Sequence, residues 1–185
     1  MEQEQAEQQQ MLLPQERKKM RAMVAVDDSE ESFYALNWVL DKFFSNIVMS
    51  TLPTATETPD HQHDHRVESN LVSLVHVMDR LPHYVFPGGY VVESATKARE
   101  QNAAKILSQA SQMCKDRKVA AETLILEGDP KEMICEAVER MHVDVLVVGS
   151  RGLGQIKRAF LGSVSDYCAH RAKCPVVIVK LPHKQ

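Results

Sequence analysis

"VDVLVVGSRGLGQIKRAFLGSVS", residues 143–165, passes from a β-branched apolar run, through a glycine stretch, to a Ser suited to starting a helix. Val143–Val148 has the composition of a strand covered on both faces. Gly149 follows at its carboxyl end, and a helical pattern begins near Ser163 and runs to about Ala172. A fully buried strand followed by a loop and a helix is the repeating unit of a parallel sheet.

The pattern extends in both directions. Arg21–Val26 reads as a first strand, followed by a helix to about Phe44 with Phe33, Leu36, Leu40 and Phe43 at helical spacing. Asp28 or Ser29 can cap that helix, and Glu31 stands three residues after Asp28 as in a capping box. Leu71–Val77 reads as a second strand, roughly 93–117 as a long helix, and Ala121–Leu126 as a third strand. Asp129 caps the next helix, with Pro130 in its first turn and Glu132 closing the box. Pro175 introduces a last strand, Val176–Val179. Strands separated by helical crossovers predict an α/β fold, a doubly wound five-stranded parallel sheet with helices on both faces.

The 185 residues suffice for one domain with tails. Residues 1–19, rich in Gln and Glu, read as a disordered tail before a domain spanning 20–182. Residues 45–69 are polar and aperiodic and read as a flexible insertion. "DRLPHYVFPGGYVVE", 79–93, reads as a long loop suited to a lid. No secretory signal or apolar run of membrane-spanning length is expected. The four cysteines lack C-x-x-C spacing and read as free thiols of a reducing compartment, small buried hydrophobes in preference to a redox role for Cys168 or Cys174. Cytoplasmic localisation is expected, with the nucleus open.

The net charge of −3 argues against a nucleic-acid partner. It is unevenly spread: seven Lys/Arg against one Asp after residue 150 give that end +6 and leave −9 to the rest. The glycine stretch therefore lies where anions are drawn. Two common phosphate motifs fail there. A P-loop needs Lys after its second glycine, but Gln155-Ile156 follows Gly154. The dinucleotide fingerprint needs a third glycine where Lys157 stands. What remains is physical: a glycine at a strand's carboxyl end, and Gly162-Ser163 before a helix whose free N–H groups favour an anion. An ordinary cap and loop would use the same residues. Ligands of open α/β sheets sit beyond the strand ends where strand order reverses. If the first and fourth strands are neighbours, Asp27 faces the glycines across that crevice. It can serve a nucleoside there, or simply form a turn.

Gly149, two residues, Gly152, nine residues and Gly162-Ser163 resemble the ATP-binding motif of the universal stress protein family. "VAVDDSEES" at 24–32, "LVHV" at 74–77, "EGDP" at 127–130 and "KCPVVIVK" at 173–180 are similar to family segments in the same order. The single domain and Trp-bearing first helix look most like the plant branch. The resemblance implies an adenine nucleotide alpha hydrolase-like, Rossmann-like fold that binds ATP or AMP; Asp27 or Asp28 could hold a Mg²⁺ beside it. It implies that Gly149, Gly152, Gly162 and Ser163 hold phosphates, with Val164 and Ser165 contributing at the helix start. Asp27 would meet the nucleoside and Val77 the adenine. It also implies a homodimer through Val176, Val177, Ile178 and Val179, a short apolar edge that needs covering.

Three functions follow as candidates: a nucleotide-binding stress-response regulatory module, a slow ATPase using Asp27 or Asp28, and a chaperone-like scaffold independent of nucleotide turnover. No nucleophile–base pair is evident. His61, His63 and His65 alternate beside Asp60 and Asp64; they read as a solvated loop in preference to a metal site. His76 reads as structural or pocket-lining, His170 as a surface residue, and Lys157 and Arg158 as phosphate-steering or plain loop charges.

Overall fold

A computed structural model describes residues 20–44, 71–80, 89–152 and 161–182. The tail 1–19, the whole insertion, including His61, His63 and His65, residues 81–88 of the long loop, and Gly154, Lys157 and Arg158 lie outside the described residues.

The elements are β1 (Arg21–Ala25), α1 (Glu30–Val39), β2 (Leu71–Met78), α2 (Gly89–Asp116), β3 (Ala120–Glu127), α3 (Pro130–Arg140), β4 (Val145–Gly149), α4 (Ser163–Arg171) and β5 (Val176–Val179). α1 runs on into a π-helical turn, Leu40–Phe44, where Phe43 meets Trp38 edge-on at 5.5 Å. The strands form one parallel sheet in the order β3-β2-β1-β4-β5. β1 and β4 are neighbours, in register Ala22 to Val145. Strand order therefore reverses between them, as expected for a doubly wound sheet.

Alternation along the strands feeds two cores. Val24, Val72, Leu74, Val145 and Val147 pack against Leu36, Val39, Ile106 and Ala110 of α1 and α2. Met23, Val75, Leu146 and Val148 pack against Ile134, Ala137, Val138 and Cys168 of α3 and α4. Val145–Val148 are all buried, which accounts for their unbroken apolar sequence. Each such side chain contributes roughly 1.5–3 kcal/mol on burial.

Two local expectations need correction. α2 begins at Gly89, about four residues before the position its apolar face suggests. A helix's first residues need no i−4 partner, and extending a formed helix is easy, so weak formers are tolerated there. Ser29, not Asp28, caps α1, accepting from Ser32 N–H at 3.2 Å. The position three residues on is thus Ser32, and Glu31 closes no box. Asp129 does cap α3, accepting from Lys131 N–H at 3.2 Å, with Pro130 behind it.

Candidate functional site

Beyond the carboxyl ends of the strands, the sheet reversal opens a cavity of about 810 Å³. Asp27, Val77, Gly149, Gly152, Gly162, Ser163, Val164 and Ser165 all lie on its wall. The sequence-predicted residues are thus brought together, although they span 139 positions from first to last.

Each arrives by a different device. Asp27 follows β1. Its Oδ1 accepts from the Ser29 N–H at 3.1 Å and from the Ser29 hydroxyl, forming an Asx turn into α1. The turn reading of Asp27 holds through Oδ1, while Oδ2 faces Gly152. A Cβ on Gly152 would stand 2.5 Å from Oδ2. Gly149 ends β4 beside Val179, and a Cβ there would come within 3.1 Å of the Glu31 backbone carbonyl carbon. The two glycines therefore serve close approach, one to a carboxylate and one to the first turn of α1.

The two halves of the glycine motif are tied through Ser150. Its N–H donates to Val179 O at 2.8 Å, and its carbonyl accepts from Gly162 N–H at 2.8 Å. The Ser165 hydroxyl lies 3.1 Å from that same carbonyl and 2.9 Å from Gly162 O. Its proton is engaged inside the loop, so Ser165 acts on the site through its backbone and by holding the loop. Asp166 N–H is the first to close the helix, onto Gly162 O at 2.9 Å. The N–H groups of Ser163, Val164 and Ser165 precede the ladder, as the first groups of any helix do. Gly162 is the N-cap and supplies no side-chain hydrogen bond. α1 and α3 are capped by side chains; α4 presents its positive dipole end to the cavity uncapped.

His76 Nδ1 lies 2.8 Å from Val26 O, a carbonyl that can only accept, so Nδ1 carries the proton. The ring ties β2 to β1 at the cavity wall, as a structural residue should. His170 is exposed on α4, bound to Asp166 O. Burial pushes the Cys168 thiol up to about 12 and the Cys114 thiol to about 11. Half-buried Cys174 is also raised, chiefly by desolvation. Protonated, buried thiols match the expected small hydrophobes.

The sequence reading missed Ser32, Arg99, Asn102 and Lys131, which also line the cavity. Lys131 Nζ lies 3.1 Å from Asp129, whose carboxylate holds the ammonium above its ordinary range. Arg99 had one signal: it stands a turn before Ala103, the start of the buried face of α2. Among the described residues no group of three His, Cys, Asp or Glu is placed to hold a metal ion, and no helix is long and apolar enough to cross a membrane.

The universal stress protein family model matches residues 19–180, the whole sheet and the glycine motif included. The chain belongs to the universal stress protein family. A universal stress protein A-like protein of Arabidopsis thaliana is 44% identical over 85 residues, 44% of this chain and 49% of that protein. Universal stress protein PHOS34 of the same plant is 29% identical over 177 residues, 86% of this chain and 61% of that one. The chain thus spans about half to three-fifths of the length of these relatives. Among solved universal stress proteins, one from Arabidopsis thaliana with AMP bound superposes with a TM-score of 0.57 at 26% identity, covering 88% of this chain and 92% of that one.

Proposed function

We propose that this universal stress protein chain binds an adenine nucleotide, ATP or AMP, and acts as a regulatory module in a stress response. One observation carries the reading: the uncapped start of α4 opens into a cavity at the sheet's reversal point. Phosphate oxygens placed there accept from the Ser163, Val164 and Ser165 N–H groups. Gly149 and Gly152 let the backbone and Asp27 come close. The nucleoside extends past Asp27, and the adenine reaches the end of β2 at Val77. The AMP-bound relative supports the ligand class. The stress role is supported by family membership alone.

Magnesium would enter with the phosphates, the usual way this ion is held. A homodimer through β5 has its own support. β5 ends the sheet, and Val176, Val177 and Ile178 are only half-buried.

The test is extraction. Protein purified without added nucleotide is denatured, and the supernatant is resolved by anion exchange with mass detection. Wild type is expected to release ATP or AMP, and folded Gly152→Val to release little. If folded wild type carries no adenine nucleotide and takes none up on titration, the proposal fails.

A further inference from the structure

The wall of the cavity away from α4 is built by α2, which packs over β2 and β3 on the other side of the sheet reversal. Arg99 belongs to that wall. Its Nη2 is buried and has no hydrogen-bond partner among the described residues. Buried polar groups are nearly always paired, and a guanidinium can only donate. Besides Asp27, the acids lining the cavity are Asp79 and Asp129, and Asp129 is engaged by Lys131. No ion pair joins Arg99 to an acid among the described residues. Arg99 therefore offers a desolvated donor to whatever fills this end of the cavity.

The nucleotide reading, on which this inference rests, says what that is. With phosphates on α4 and the nucleoside crossing β1 at Asp27, the base arrives at the end of β2, facing α2. A purine presents two kinds of polar edge. Its exocyclic amine donates, which a guanidinium cannot match, whereas its ring nitrogens accept. We propose that Arg99 donates from Nη2 to a ring nitrogen of the bound adenine, and so helps set base specificity. The gain comes from pairing a charged donor already removed from water.

Deaza analogues provide the test, because each replaces one ring nitrogen by carbon. Affinities of ATP and of its 1-, 3- and 7-deaza analogues are measured by calorimetry on wild type and Arg99→Met, which keeps the apolar stem without donors. ATP should bind Arg99→Met about tenfold more weakly. One deaza analogue should show the same loss on wild type and no further loss on the variant. Arg99→Gln, with a neutral donor, should recover part of the affinity, and it replaces Arg99→Met should that variant not fold. Unchanged ATP affinity in both variants, or deaza penalties identical in wild type and variant, would overturn the assignment while leaving nucleotide binding intact. A wild type that binds no adenine nucleotide would instead remove the underlying reading, and this assignment with it.

Discussion

Gly152 stands so close to Asp27 that any side chain at 152 meets the carboxylate: a Cβ would lie 2.5 Å from Oδ2. The obstacle is the end of an acidic side chain on a half-exposed turn, so the fold can absorb the change by moving Asp27. Gly152→Ala should therefore leave stability within about 0.5 kcal/mol of wild type and weaken ATP or AMP binding about tenfold. Calorimetric titration beside a denaturant melt separates the two effects.

Gly149 is the opposite case. A Cβ there would press on the Glu31 and Arg151 backbone carbonyls, at 3.1 to 3.2 Å, and backbone cannot swing aside. Gly149→Ala should cost about 1–3 kcal/mol as an overpacked site. A midpoint in urea unchanged from wild type would show that α1 yields more easily than the packing implies.

Ser29 joins the cap of α1 to the posture of Asp27. Its hydroxyl serves Ser32 N–H on one side and Asp27 Oδ1 on the other. Ser29→Ala should lower stability by about 1 kcal/mol through the lost cap, which is roughly 2–4 °C in Tm for a domain of this size. Nucleotide affinity should fall with it, because Asp27 loses one of its two anchors.

How far the sequence reaches can be judged from such residues. The sequence leaves the adjacency of β1 and β4 as a condition; the sheet order supplies it, and that adjacency alone brings Asp27 to the glycines. Of the eight candidate residues, Asp27, Gly149, Gly162 and Ser163 leave marks in local sequence as strand ends, a glycine suited to close approach and a helix start, whereas Val77, Gly152, Val164 and Ser165 rest on the family resemblance. Ser150 left none: its role as acceptor for Gly162 and Ser165 exists only once the loop has closed. Arg99 was hidden for a similar reason. In a polar helix segment, KAREQN, nothing but register separates an inward arginine from an outward one. The early start of α2 escaped because helix propensity is weak beside the packing of a 28-residue helix.

The cysteines predict a dependence on alkali. Burial holds Cys168 protonated to about pH 12, against an ordinary value of 9.0. Between those values the unfolded chain binds fewer protons than the native one, so stability falls as pH rises. Below pH 9 this thiol contributes no slope. Cys168→Ala should flatten the alkaline limb of a stability-versus-pH curve. At pH 8 the native Cys168 thiol should react with maleimide roughly a thousandfold more slowly than a free cysteine, given the thousandfold smaller thiolate fraction. Labelling at the rate of the unfolded chain would contradict this.

The most direct test of the account is a nitrogen-15 amide spectrum of the protein titrated with AMP. Phosphate seated on the start of α4 should give its largest shifts at the Ser163, Val164 and Ser165 amides, with Gly152 moving alongside and β3 amides far from the cavity unmoved. Saturating shifts elsewhere with those three amides still would contradict the cradle assigned here, whatever the affinity.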